Sequence, residues 1–330
     1  MLQWLKLRNG SAAALAAGFS MACGVTGMTP AQAQSYPTKP IRMMIGFAPG
    51  GATDVIARIL SPKLTAYLGQ QIIIENRPGA DALLAMEQVV KAAPDGYTLL
   101  MNSSSQAINA SVYKRVPFDT LKDFAPVINI GEIPSLLVVH PSLPVKSTRD
   151  IVQLARSRKG ELLYAASASS TWLATEMFNR MAGVQMTRVA YKGAGPAMIG
   201  LLSGEVQFMI TGIGPIFPHV QSNKVRAIAA TTLKRTPMLP NLPTVHESGV
   251  PGYESGVWYA MFAPAGVPRA IIDRVNAETR RAMNEPDVRA NIAGQGIDPL
   301  PGTPEDLGRY VAAEFQKYAR VAQEAGIKPE

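Results

Sequence analysis

The sequence has almost no cysteine: Cys23 is the single one among 330 residues. It lies in an N-terminal segment where the basic residues Lys6 and Arg8 precede a stretch of small apolar residues. Ala31 and Ala33 then stand at the spacing that a signal peptidase reads. We predict cleavage after Ala33, which leaves an exported, periplasmic chain without disulfides or thiol nucleophiles. A lipoprotein anchored through the cysteine is the alternative, but the usual preceding leucine is missing.

Long apolar runs and runs of one charge are also missing. No segment after residue 33 is apolar over a membrane-spanning length, so we expect a soluble mature protein. Cleavage removes two of the 32 basic residues and none of the 24 acids, so the net charge falls from +8 to +6. The basic residues are scattered among acids, without interleaved aromatics. This pattern favours a solvated surface that mildly attracts anions, rather than nucleic-acid binding.

Histidine is scarce, and the motifs of common enzymes are absent. His140, His219 and His246 are the only three histidines and show no metal-binding spacing. The chain has no nucleophile elbow, no phosphate-loop lysine pattern and no complete dinucleotide glycine fingerprint. We therefore expect no catalysis, no metal and no cofactor. A hydrolase whose serine, histidine and aspartate meet only in space stays open as a less favoured alternative.

Strand-like and helix-like segments alternate along the chain. The apolar run 41–47 predicts a buried strand, and the following helix should start near Thr53 and end at Gly69. Asp81 is expected to cap the next helix. A second series of alternating segments begins near Leu136, and Ser147 is expected to cap its first helix. The pattern predicts an α/β protein with two lobes, each a mostly parallel sheet flanked by helices.

The loops that follow the strands are the candidate binding site, because ligands of open α/β sheets bind beyond the carboxyl ends of the strands. The first such loop joins two glycines to a helix N-terminus, where free N–H groups favour an anion. Simple helix capping by Thr53 or Asp54 is the alternative. The candidate ligand-binding residues of this loop are Phe47, Gly50, Gly51, Ala52, Thr53 and Asp54.

Four further loops repeat this chemistry. Two are rich in hydroxyl groups, which donate to a carboxylate while remaining uncharged; one carries a lysine, and one carries glycines. Trp172, beside the second hydroxyl-rich loop, either walls the pocket or packs in the core, and we favour the core. The candidates in these loops are Ser103, Ser104, Gln106, Ser167, Ser169, Ser170, Thr171, Tyr191, Lys192 and Gly212.

Several ordered segments carry a family resemblance. They are Tyr-Pro-Thr-Lys-Pro-Ile at 36–41, the loop 47–54, Glu-Asn-Arg-Pro-Gly-Ala at 75–80, Ala-Ala-Pro-Asp-Gly-Tyr-Thr-Leu at 92–99, Tyr-Lys-Gly at 191–193, Leu-Pro-Thr-Val at 242–245 and Phe-Ala-Pro-Ala-Gly at 262–266. Together they resemble the Bug-type receptors, the substrate-binding proteins of tripartite tricarboxylate transporters. Two segments depart from the pattern. Asp81-Ala82-Leu83 replaces a frequent Gly-Gly-Asn, and the loop before Trp172 lacks a Gly-Asn-Gly-like stretch and a histidine.

The resemblance implies a type II-like periplasmic binding fold that captures a small carboxylate without catalysis. It places the carboxylate on the loops 47–54 and 167–171. The expected division is a signal peptide at 1–33, lobe 1 at 35–134 plus 259–330, and lobe 2 at 135–258, with two crossover segments. The expected protein is a monomeric receptor that serves membrane transporter subunits and binds no nucleic acid. A sensor that presents ligand to a signalling partner is the alternative.

Overall fold

The computed structural model describes residues 36–236, 238–324 and 326–329. Strands and helices alternate over most of this length, because apolar runs of strand length are followed by amphipathic segments. The strands are β1 Ile41–Ile45, β2 Ile72–Asn76, β3 Thr98–Ser103, β4 Phe124–Val139, β5 Leu163–Ala166, β6 Thr187–Ala190, β7 Phe208–Gly212, β8 Arg226–Ala230, β9 Gly256–Pro264 and β10 Asp298–Pro299. The helices are α1 Ala52–Leu68, α2 Leu83–Val90, α3 Ser105–Val112, α4 Thr148–Ser157, α5 Ser169–Ala182, α6 Ala194–Ser203, α7 Ile213–Gln221, α8 Arg269–Asn284, α9 Pro286–Gly294 and α10 Pro304–Glu324.

The strands follow the order β2-β1-β3-β9-β4-β7-β5-β6, and β8 and β10 also pair with β4. In the first lobe β1 pairs in parallel with β2 and β3, and in the second lobe β5 pairs in parallel with β6 and β7. The antiparallel pairs gather around β4 and β9. The two parallel groups therefore point the carboxyl ends of their strands at the loops between the lobes, as the α/β pattern predicts.

Strand β4 runs through both lobes. Its residues from Phe124 to Pro134 pair with β9, whereas Ser135 to Val139 pair with β7 and β8. The partner changes where we predict the first lobe boundary; the boundaries themselves stay a prediction. The sequence indicated only the second half of this strand, because Pro126, Gly131 and Pro134 interrupt the first half.

Two local predictions are confirmed by the backbone. Gly69 adopts a left-handed conformation with a φ of 72° and ends α1, which is the usual role of a glycine after a helix. Ser147 caps α4, since its side chain accepts a hydrogen bond from the backbone N–H of Asp150, and the Asp150 carboxylate accepts the N–H of Ser147 in return. These short polar motifs fix where the helices begin and end.

The prediction for Asp81 is wrong. Helix α2 begins at Leu83 without a capping side chain, and its flanking residue is Ala82. Ala80, Asp81 and Ala82 all have positive φ angles, of 44°, 50° and 71°. This left-handed run turns the Asp81 side chain away from the start of α2, so its carboxylate bonds to the other lobe.

The signal-peptide prediction falls on residues 1–33, which lie outside the described residues. Within the described part of the chain, no helix combines the length and apolarity that crossing a membrane requires.

Candidate functional site

Two neighbouring cavities lie among the loops that connect the lobes. They share Phe47, Ser167 and Ala168 in their walls. The larger cavity has a volume of about 230 Å³ and includes Asp81 and Arg188 in its lining, and the smaller has a volume of about 60 Å³. Because each cavity takes residues from both lobes, together they form the cleft between them.

Most of the predicted binding residues line this cleft. Phe47 and Ser167 border both cavities. The larger cavity is also lined by Ser169, Tyr191 and Lys192. The smaller cavity is also lined by Gly51, Ala52, Thr53, Ser103, Ser170, Thr171 and Gly212. Gly50, Asp54, Ser104 and Gln106 are not among the described residues that line either cavity.

Asp54 holds the first loop in shape. Its carboxylate accepts hydrogen bonds from the Gly50 N–H at 3.0 Å, from Arg58 Nε at 2.9 Å and from Asn76 Nδ2 at 3.0 Å. Burial alone raises the pKa of Asp54, but the bonds from Arg58, Gly50 and Asn76 outweigh it, so the pKa lies below its ordinary value. These contacts fix the loop that carries Gly51 and Ala52 to the cavity.

Thr171 shapes the matching loop of the second lobe. Its Oγ1 accepts hydrogen bonds from the N–H groups of Ser167 at 2.9 Å and Ala168 at 3.1 Å, and it donates to the Ala168 carbonyl. The hydroxyl thus closes the turn that precedes α5. As a result, Ser169 and Ser170 present the first turn of that helix to the cleft.

One of the three predicted binding residues in the polar segment after β3 lies at the cleft. Ser103 lines the smaller cavity, whereas Ser104 and Gln106 are fully buried. The Gln106 side chain accepts a hydrogen bond from Asn102 Nδ2 at 2.9 Å. Gln106 therefore bonds inside the first lobe.

Asp81 makes the most direct polar link across the cleft. Its carboxylate accepts the Ser169 N–H at 2.7 Å and the Ser105 hydroxyl at 3.2 Å. Ser169 and Ser105 are also joined through their hydroxyl groups at 3.2 Å. Burial raises the pKa of Asp81, and the hydrogen bonds from Ser169 and Ser105 offset only part of that effect.

Two cations line the larger cavity. Lys192 is exposed, as expected of a loop lysine, while Arg188 is partly buried on β6. The guanidinium carbon of Arg188 lies over the ring of Trp172, which is itself buried and lines the same cavity. Trp172 is therefore buried, as we expected of a core residue, and it also forms part of the cavity wall. The Tyr191 hydroxyl is turned toward α6, where an added Cβ at Gly200 would lie 2.2 Å from it.

The sequence missed Asp81 and Arg188 as cleft residues. Asp81 was visible only as a departure from the family pattern, and its backbone conformation gave no signal in the sequence. Arg188 lies within a strand rather than in a loop, and therefore outside the loops predicted to bind ligand. Other lining residues outside the predicted set include Tyr113, Thr211 and Tyr259. None of the described residues form a cluster of acids, histidines or cysteines suited to a metal ion.

The sequence profile described as "Tripartite tricarboxylate transporter family receptor" matches residues 56–327, which is most of the chain. The chain belongs to this receptor family. It is also 36% identical over 303 residues to Protein BugT of Bordetella pertussis, covering 91% of this chain and 93% of that protein. The predicted family is thereby confirmed.

Solved structures of receptors share the fold. The chain superimposes on R. palustris Rpa4515 with adipate at a TM-score of 0.86 and 37% identity, covering 89% of this chain and 100% of that one. For MatC (Rpa3494) from Rhodopseudomonas palustris with bound malate, the TM-score is 0.83 at 32% identity, covering 87% and 99%. For the periplasmic binding protein BugD, the TM-score is 0.85 at 29% identity, covering 89% and 100%. The two-lobe periplasmic binding fold predicted from the sequence is thus confirmed, and the family is one of solute-binding receptors.

Proposed function

We propose that this receptor captures a small carboxylate in the cleft and passes it, chemically unchanged, to membrane subunits of a tripartite transporter. One observation carries the proposal. The first turns of α1 and α5, one from each lobe, line the same smaller cavity through Ala52, Thr53, Ser170 and Thr171. A helix N-terminus favours negative charge through its free N–H groups and its dipole. A carboxylate placed there interacts with both lobes at once.

The neutral polar lining suits this ligand. Thr53, Ser103 and Ser170 supply hydroxyl groups that donate hydrogen bonds without adding charge. Arg188 and Lys192 add positive charge in the adjoining larger cavity, which shares Phe47 and Ser167 with the smaller one in its wall. The cleft therefore binds the carboxylate by helix ends and hydroxyls, and the cations strengthen its attraction for anions.

Related receptors support a carboxylate as the ligand. Two of the structures that share the fold hold adipate and malate, which are both carboxylates. In the proposed mechanism the ligand bridges the lobes and shifts their equilibrium toward the closed form, which then docks on the membrane subunits. Export by the N-terminal signal, with cleavage after Ala33, places the receptor in the periplasm.

A thermal-shift screen of residues 34–330 tests the proposal. The panel holds dicarboxylates, tricarboxylates, aromatic acids and amino acids, with the neutral sugars glucose and ribose as controls. A ligand that binds only the folded protein adds about 2.7 kcal/mol of stability at a hundredfold excess over its Kd. We expect acids, and not sugars, to raise the melting temperature. A response to sugars alone, or to no acid after refolding has removed any retained ligand, would contradict carboxylate capture.

A further inference from the structure

Asp81 places a carboxylate of the protein itself where a carboxylate ligand is expected. It accepts the Ser169 N–H, which belongs to the first residue of α5, at 2.7 Å. It also lines the larger cavity and remains only partly buried. An anionic ligand that enters the cleft therefore meets one end of α5 already bonded to a carboxyl group of the protein.

The backbone holds Asp81 in this place at a cost in free energy. Non-glycine residues in the left-handed region cost about 1 kcal/mol or more each, and Ala80, Asp81 and Ala82 form a continuous run of them. Contacts on both sides stabilise the run. Asn109 Nδ2 donates to the Asp81 carbonyl at 2.8 Å, and Ala82 packs so closely on Gly46 that an added Cβ there would lie 2.1 Å from the Ala82 Cβ. The carboxylate is therefore fixed in the cleft.

The carboxylate has unused capacity on the cavity side. A carboxylate accepts about four hydrogen bonds, and the described residues that bond to Asp81 are the neutral donors Ser105 and Ser169. A ligand hydroxyl, amide or ammonium group can donate to the remaining positions. A ligand carboxylate has no hydrogen to donate there, and it is repelled by the ionised form of Asp81.

We propose that Asp81 determines ligand selectivity. It makes the cleft favour acids that present one carboxylate to the helix ends and a hydrogen-bond donor to the larger cavity, over acids with a second carboxylate there. This inference rests on the proposed capture of a carboxylate and narrows its class. Two cations line the same cavity: Lys192 is exposed, so its attraction for a second carboxylate is screened by solvent and salt, and Arg188 is held over the Trp172 ring. Both cations are unchanged by a substitution at Asp81, so a change in the preference between the two classes of acid reports on Asp81 itself.

Calorimetric titrations of full-length mature receptor with matched ligands test the selectivity. The ligands are succinate, glutarate, adipate and pimelate, each compared with its monoamide and its ω-amino acid. The variant Asp81→Asn removes the charge and keeps the size and shape, and asparagine tolerates the left-handed backbone at this position. Asp273→Asn, which removes an exposed carboxylate on α8, is the matched control for net charge.

We expect the wild type and the control to bind the monoamide or ω-amino acid of at least one length about tenfold more tightly than the diacid. Asp81→Asn should shift that ratio about tenfold toward the diacid. A wild type that prefers every diacid, or an unchanged ratio in Asp81→Asn, overturns the selectivity role and leaves carboxylate capture intact. If no acid of the series binds either protein, while circular dichroism shows both folded, the selectivity role fails, and the thermal-shift panel decides carboxylate capture separately.

Discussion

The guanidinium carbon of Arg188 lies 4.0 Å from the centre of the Trp172 ring. Stacking of a cation on an indole face is favourable by about 0.5–2 kcal/mol, and it fixes the plane of the guanidinium. Since both residues line the larger cavity, the pair forms a rigid wall that carries positive charge. Trp172, which we assigned to the core, and Arg188, which lies outside the predicted loops, thus form one part of the cleft wall together.

Replacing Arg188 by glutamine should weaken the binding of the tightest acid from the thermal-shift screen by about tenfold, because it removes a partly buried positive charge from the cleft. Isothermal titration calorimetry measures the change. Arg180→Gln, in the last turn of α5 and away from the cavity lining, is the matched control and should bind normally. Equal affinities of the two variants would contradict a role of Arg188 in ligand binding.

Replacing Lys192 by methionine should have a smaller effect, of about two- to fivefold, because the exposed charge is screened by water and salt. Stopped-flow measurements at low and high ionic strength should show the loss mainly in the association rate at low salt. Lys224→Met removes another exposed lysine of the same lobe, outside the cavities, and serves as control. A loss that persists undiminished at high salt would contradict a steering role.

Replacing Gly46 by alanine should destabilise the protein by about 1–3 kcal/mol, since the new methyl group overlaps Ala82 side-chain and backbone atoms at 2.1 and 2.4 Å. Urea denaturation followed by circular dichroism measures the difference. Gly294→Ala is the matched control, because no atom lies within 4 Å of the Cβ it would add. A Gly46→Ala protein as stable as the control would show that the left-handed run 80–82 adapts without cost.

Asp54 should make stability depend on pH. Its pKa is lowered in the folded protein by hydrogen bonds, so its contribution is present above the unfolded-state pKa of about 3.9 and is lost as the pH falls through the folded pKa. Asp54→Asn should therefore be less stable than wild type at pH 7, with the difference shrinking in acid. Urea denaturation across this pH range, with Asp273→Asn as control, tests the sign. A constant difference down to pH 2 would refute the linkage.

The sequence predicted much of the fold because the local signals agree with the tertiary structure. Local sequence is enough to specify some features: the buried strand Ile41–Ile45, the end of α1 at Gly69 and the start of α4 at Ser147. The first half of β4 was missed, since Pro126 and Gly131 look unfavourable for a strand and are tolerated there at register shifts.

The sequence predicted the cleft residues whose position follows from the sheet topology. It did not predict those whose orientation is set by contacts with distant segments of the chain. Gly51 and Ser170 lie where the chain passes from strands β1 and β5 into the helices after them, so their position at the cleft follows from the sheet topology. Asp81 has the composition of an ordinary helix cap, yet the packing of Ala82 on Gly46 turns it toward Ser169. The orientation of Asp81 toward Ser169 is not encoded in local periodicity or propensity, because it depends on another segment of the chain.

The shared strand β4 has a consequence for how the lobes move. Pro134, the last β4 residue paired with β9, stands opposite Gly256, the first residue of β9. The N–H of the preceding residue, Ser255, bonds to the Thr231 carbonyl on the second-lobe side. Both passages of the chain between the lobes therefore occur at one rung of a single ladder. In the proposed closure, torsion about that rung would open or close the cleft, whereas sliding of one lobe along the other would shear the ladder itself.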